Sequence, residues 1–445
     1  MTLSKTLSEK LTAYFSEDAI EELARESHFV IRESKMTGFM FMDLLLFSTQ
    51  NLKEQSLEDL AFLLKERYGI EITKQGLDER FTEKAVDFLK KLLGKAIAEI
   101  YNPLSELICL KKLGSVRIKD STSFQLPKNM EEYYPGSGGS GSKACIRIQF
   151  EYDLIKGEIV DLSLHAYNDP DISNASETVD NINCNDLIIR DLGYIRTDVL
   201  SKIDKKQAYF LNRLQCNMNV YEIKKGKYKK VNFVAINRYL RLLKLQDMEK
   251  EVYIGEEHSI KLRMVIERVP EKVINERLRK AERQAKKKGR KLSNEYKIRA
   301  GLNIFITNID KQDLSVNDVR QIYGLRWQIE IVFKTWKSIA KIHELKKMKV
   351  LRFECCLYAK LIWVVLNLNM VWETIKFFYH DKILLSYFKL FKAICNRKES
   401  FRQAILSGKD KTIEYLMKIF PSFPNYFKSD KKKDKLSFYD RLELL

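Results

Sequence analysis

Three rhythms of apolar residues divide the chain. Over roughly the first hundred positions, apolar runs such as Met40–Phe47 and Leu57–Leu64 recur at helical spacing, with few Gly or Pro among them. Ser56 with Asp59 three residues on supplies a helix cap, Gly69 a stop, and Thr73 a second start leading through Leu77 and Phe81. From Val116 the period changes to two. Val116, Ile118 and Asp120 share one strand face; Ile146, Ile148, Phe150, Tyr152 and Leu154 alternate without a break, and Val160, Leu162, Leu164 and Ala166 do so again. This pattern predicts three antiparallel strands, each with one buried face. Asp186–Asp191 reads as a short apolar strand ending in Asp191, followed by a turn, a helix and a further strand at Ala208–Leu211. Beyond residue 338 the helical period returns in the apolar stretch Phe353–Phe378, where Trp363 and Trp372 belong to the core.

Two carboxylates interrupt these patterns. Asp120 lies in phase with an apolar face, where an unpaired charge is expensive to bury and therefore needs a reason. Asp191 closes an apolar strand, and its nearest competitors are Asp169, Asp171 and Asp186, the last of which precedes the apolar run. The Gly136–Lys143 stretch is rich in Gly and Ser, but Ser142 stands before Lys143 and a strand follows. A phosphate-binding loop ends in Gly-Lys-Ser/Thr and opens a helix, so nucleotide binding is rejected here.

A third carboxylate sits in Ser315–Ser338, which the pattern predicts as a helix capped by Ser315 with Asp318 and weakened at Gly324. Tyr323, Arg326, Glu330 and Lys337 lie at offsets of 0, 3, 7 and 14 residues. On a helical wheel they fall within an arc of about 60°. The plain reading is a solvated face with Arg326–Glu330 as an i,i+4 ion pair.

Charge narrows the partners. The 445 residues carry a formal net charge of +19, which points to a polyanion, nucleic acid first, although a ribosome-associated or membrane-surface protein shows the same balance. The densest run, Arg277–Arg299, holds eleven Lys/Arg against two Glu in a predicted helix. The early helix, turn and helix fit a helix-turn-helix that brings Lys74, Gln75 and Arg80 to DNA, and equally fit any small helical bundle. Seven cysteines without a Cys-x-x-Cys pair, and five histidines, argue against a zinc site and for free thiols in a reducing cytosol. No signal peptide opens the chain. Lys360, Asn367 and Asn369 interrupt the most apolar segment, which favours a buried helix over a membrane span.

Tyr, two residues, Arg, three residues, Glu, six residues and Lys, together with Trp327, Ile329 and Phe333–Lys334, resembles the bacterial insertion-sequence transposases of the DDE superfamily that carry the Tyr-Arg-Glu-Lys signature (the IS-four family). Asp191-Leu-Gly-Tyr194 is similar to that family's second catalytic motif. The resemblance implies an α/β fold with a ribonuclease-H-like catalytic core at 111–345. A β-rich insertion at about 215–300 would account for the long interval between Asp191 and Glu330. A helical DNA-binding domain would precede the core at 1–110, and a helical region would follow at 346–445. It implies Asp120, Asp191 and Glu330 as catalytic, metal-binding acids for two Mg²⁺ ions, with Mn²⁺ able to substitute. Tyr323, Arg326 and Lys337 would contact DNA. A flipped base is stacked by an aromatic of the insertion in related enzymes; no Trp stands there, so that role is unassigned. The implied activity is cut-and-paste transposition by a bacterial, cytoplasmic, nucleoid-associated homodimer acting on terminal inverted repeats and target DNA. The alternatives are a ribonuclease-H-like nuclease without strand transfer and an inactive DNA-binding descendant.

Overall fold

The computed structural model describes residues 2–32, 35–48, 53–100, 113–136, 143–155, 158–169, 178–214, 218–255, 260–287 and 289–429. The Gly/Ser-rich loop at 137–142, the turn at 156–157, Asp171, Cys109, Cys216 and the last residues from 430 lie outside them.

A single ten-stranded sheet organises the middle of the chain, in the order β3-β2-β1-β4-β5-β10-β9-β8-β6-β7. The three alternating segments form β1 (Ser115–Leu126), β2 (Ala144–Asp153) and β3 (Ile159–Ala166), paired antiparallel as their spacing predicts. β4 (Asp186–Arg190) and β5 (Tyr209–Arg213) then add in parallel beside β1, with the Thr197–Lys205 helix crossing between them. β6 (Tyr221–Lys224), β7 (Lys227–Lys230), β8 (Asp247–Ile254) and β9 (Ile260–Arg268) extend the same sheet, joined to β5 through β10 (Leu302–Thr307). Residues 218–300 thus lengthen the sheet rather than stand apart from it.

The strands depart from the sequence pattern in one respect. β2 is buried along almost its whole length, on both faces. Ile146, Ile148 and Phe150 meet the apolar core on one side, while Gln149 and Glu151, 1% and 0% exposed, are buried on the other. A period of two with polar alternate positions normally means a solvated second face. Here those positions carry a buried ionic network, described below.

Helices cover the β1–β3 side. The first six and those after residue 350 share one apolar core with β1 and β2. Ser56 forms a capping box with Asp59, Gly69 ends that helix at φ +69°, and Thr73 caps the next by accepting from the Gly76 amide. That next helix, Lys74–Asp78, stops after five residues, because Thr82 caps a new one by accepting from the Ala85 amide. Phe81 therefore lies buried in the turn between them rather than on the second helix. Lys74 pairs with Glu58 at an exposed position.

The 30-residue helix Val350–Tyr379 is long and apolar enough to cross a membrane, but 94% of its most apolar window is buried inside the protein. Two of its polar residues donate to backbone there: Lys360 Nζ to the Lys341 carbonyl at 2.8 Å, and Asn367 Nδ2 to that of Phe391 at 3.3 Å. Asp43 of the third helix accepts from Arg402 Nε and Nη2 at 2.7 and 2.9 Å, fastening the N-terminal helices to the C-terminal ones.

Candidate active site

The predicted helix over Ser315–Ser338 is two helices, Val316–Tyr323 and Trp327–Ser338, joined by a 3₁₀ turn at Gly324–Arg326. Ser315 caps the first, accepting from the Asp318 amide, and the irregularity falls at Gly324 as its low helix propensity suggests. Ile329, Val332, Phe333 and Trp336 turn inward. Trp336 is fully buried, with its ring 4.9 Å from Phe150 and 5.4 Å from Phe333. This apolar seam seats the helix on β2, so that Glu330, on a neighbouring face, is delivered beside the middle of β1 and the end of β4.

There the three carboxylates identified from sequence meet around one guanidinium. Arg326 Nη1 lies 3.2 Å from Asp120 Oδ2 and 3.8 Å from Asp191 Oδ1, and Nη2 donates to Glu330 Oε1 at 2.6 Å. Asp120 comes from the middle of β1, Asp191 from the residue after β4, and Glu330 from the first turn of its helix. The i,i+4 ion pair expected of Arg326 and Glu330 exists, and the same side chain reaches two further acids. The resemblance implies that the three acids meet; no local spacing encodes that they gather on Arg326.

Burial raises the Asp120 carboxyl to about 6; the Ser121 amide and Arg326 hold it down, while Asp191 and Glu330 push it up. Arg326 keeps a raised guanidinium pKa although burial opposes its charge, because Tyr323, Asp191 and Glu330 together outweigh that cost. Tyr323 packs its ring 5.3 Å from that of Phe305 and 6.0 Å from the Arg326 guanidinium, and burial raises its phenol. Lys337 donates to the Ser123 carbonyl at 2.9 Å, three residues beyond Asp120 on β1, and burial lowers its ammonium. Arg326 and Lys337 therefore both reach the middle of β1, Lys337 three residues farther along it than Arg326.

The competing acids lie elsewhere. Asp186 opens β4 at its other end and is held by Arg117 Nη2 at 2.7 Å, both nearly inaccessible. Asp169 follows the edge strand β3, exposed beside His165. Within the basic run, Arg277 donates to the Ala300 and Leu302 carbonyls, and Arg299 is buried against the Phe233 ring. Arg279, Lys280, Arg283, Lys286, Lys287, Arg290 and Lys291 remain exposed.

Among the described residues no three metal-ligating side chains already stand close enough to hold an ion. Arg326 stands between the three that converge. Their donor set is nonetheless all carboxylate oxygen, the chemistry that hard divalent cations select, and one cationic group already gathers it.

A sheet that carries two acids on adjacent strands and meets a third from a helix around one guanidinium, on a strongly basic chain, points to the class of phosphoryl-transfer enzymes of nucleic acid. Residues 111–366 match the family model described as "Transposase DDE domain". The chain is 36% identical over 374 residues to the transposase for insertion sequence element IS231F of Bacillus thuringiensis subsp. israelensis, covering 80% of this chain and 78% of that one. It is 32% identical to the transposase for IS231E of B. thuringiensis subsp. finitimus over 98% of this chain and 94% of that one. The transposase for IS1151 of Clostridium perfringens is 28% identical over 99% and 96% of the two chains. The chain belongs to the DDE transposases of insertion sequences. Its activity is the cleavage and strand transfer of DNA, and the family depends on divalent metal ions.

Proposed function

We infer that Asp120, Asp191 and Glu330 are the three acids that bind the divalent ions, Mg²⁺ by preference and Mn²⁺ in its place. The observation that carries this reading is their convergence, from two strands and a helix remote in sequence, on the single Arg326 guanidinium. Two divalent ions bound there would activate a water or 3′-hydroxyl and stabilise the leaving oxygen of an in-line displacement at phosphorus. The order β3-β2-β1-β4-β5, with β2 alone antiparallel to both its neighbours, supports a ribonuclease-H-like core over residues 111–345, into which residues of about 215–300 are inserted.

Arg326 has two duties. In the free protein it neutralises the acid cluster; with DNA bound it turns to a phosphate beside the scissile bond, and the acids become available. Tyr323 supports its guanidinium and hydrogen-bonds the DNA backbone, and Lys337 contacts a phosphate along β1. The exposed basic face of the Glu271–Lys287 helix binds DNA non-specifically through its phosphates. The helices of residues 1–110 bind the terminal inverted repeats. The enzyme acts as a homodimer, since joining an element requires both its ends in one complex, and works in the cytoplasm on nucleoid DNA.

The test is single substitution of Asp120→Asn and Asp191→Asn, with strand cleavage of element-end DNA measured beside binding in the absence of divalent ion. Each variant should bind with parent affinity and cleave at least about a thousandfold more slowly, as expected when a metal-borne share of transition-state stabilisation is removed. Parent-like cleavage by either would remove that residue from the site.

A further inference from the structure

The residue before each strand-borne acid is basic and points to the other side of the sheet. Lys119 precedes Asp120 and Arg190 precedes Asp191; side chains alternate along a strand, so the bases and the acids occupy opposite faces. Lys119 and Arg190 are register partners in the parallel β1–β4 ladder, and Lys119 is the partner of Glu151 on β2. Glu151 is in turn opposite Asp161 on β3. Four charged residues therefore form one row across four adjacent strands, one residue behind Asp120 and Asp191.

Their contacts centre on Glu151. Its Oε2 accepts from Lys119 Nζ at 3.1 Å, and both its oxygens lie 3.4 Å from Arg190 Nη2. Lys119 Nζ also donates to Asp161 Oδ2 at 2.9 Å, and both cations reach the Thr178 hydroxyl, at 3.3 and 3.1 Å. Lys119 and Glu151 are wholly inaccessible and Arg190 is 2% exposed.

Such a network is a poor way to gain stability, because apolar residues of the same volume usually do as well. Specifying an arrangement is its best-attested use. The place where it lies needs that service. β4 has only five residues, and at its end Asp191 faces the like charge of Asp120. We propose that Glu151 is a positioning residue: through Lys119 and Arg190 it fixes the register and spacing of β1 and β4 beside Asp120 and Asp191, and so sets the affinity of the site for divalent cations. This rests on the assignment of Asp120 and Asp191 as metal ligands.

The experiment is Mn²⁺ titration of the full-length chain, read by electron paramagnetic resonance of the free ion, for the parent, Glu151→Gln, Glu151→Asp and Asp120→Asn. DNA affinity without divalent ion and the thermal midpoint are measured alongside. Glu151→Gln should bind Mn²⁺ about tenfold more weakly, in line with other residues that orient metal ligands. Its metal-free DNA affinity should stay within about twofold of the parent, and Glu151→Asp should recover part of the loss. A merely structural role would instead lower DNA affinity and thermal midpoint together and leave Mn²⁺ binding by the folded fraction unchanged. Parent-like Mn²⁺ binding by folded Glu151→Gln, with binding lost in Asp120→Asn, overturns the positioning role and leaves the site standing. Parent-like binding in both variants overturns the site assignment and the inference with it. Should Glu151→Gln not fold, the charge-balanced double variant Lys119→Met, Glu151→Met is read in its place, with the same two outcomes.

Discussion

Arg326 Nη1 stands 3.2 Å from Asp120 Oδ2, across 206 residues of chain, and that contact joins the helix of the signature to the first strand of the sheet. A cation of fixed charge is held where the inferred catalytic ions bind. Arg326→Ala should leave the acid cluster without its counter-charge and raise the Asp120 carboxyl further, since Arg326 now holds it down. The proton affinity of the variant, followed by NMR of the carboxyl carbons, should shift upward for Asp120. An unmoved titration would show that the guanidinium is not its neighbour in solution.

The parent Asp120 titrates near 6 rather than near the usual carboxylate value of about 4. Its charge is therefore costly in the folded state, so its contribution to stability is most favourable below about pH 4 and is lost as pH rises through about 6. Asp120→Asn removes that cost. Thermal denaturation should show the variant gaining on the parent between pH 4 and 7, by on the order of 2 kcal/mol. A difference that stays constant with pH would contradict the burial argument. Metal binding runs the other way, because the anion is the ligand: Mn²⁺ affinity should fall about fivefold from pH 6 to pH 5.

Lys337 donates to a backbone carbonyl and among the described residues has no carboxylate partner, so its charge is available to a phosphate. Lys337→Ala should reduce the magnitude of the salt slope of DNA affinity by about one unit. An unchanged slope, measured from low to moderate salt, would assign Lys337 to holding β1 alone.

Trp336 is the wedge between the Glu330 helix and β2. Trp336→Ala should cost about 3–5 kcal/mol in denaturant unfolding, because the rings of Phe150 and Phe333 cannot close the space. A loss under about 1 kcal/mol would mean that the helix is seated by other contacts.

Much of this site is legible along the chain because the acids stand at positions with local signatures. Asp120 offends an apolar alternation, Asp191 ends an apolar strand, and Glu330 has Arg326 one turn before it and Lys337 two turns after. Caps are legible for the same reason: Ser56, Thr73 and Ser315 act on amides three residues away. What the sequence hides is long-range. Lys119, Glu151 and Arg190 look like ordinary polar alternates of half-solvated strands, and only the pairing of four strands makes them one buried row. The helix that starts at Thr73 ends at Asp78, short of Phe81, because Thr82 caps the next helix. The apolar Val350–Tyr379 stretch acquires its meaning from the helices that bury it.

If Asp120, Asp191 and Glu330 hold the catalytic ions, Glu330→Gln removes one ligand with the least disturbance to shape. Crystals of the parent and of the variant, grown with element-end DNA and Mn²⁺, allow anomalous difference maps at the manganese edge. The parent should show manganese bridging the three carboxylates with Arg326 turned away to a phosphate, and the variant should lose at least one ion together with strand cleavage. Manganese bound elsewhere in the parent, or a Glu330→Gln protein that still cleaves at the parent rate, would contradict the account.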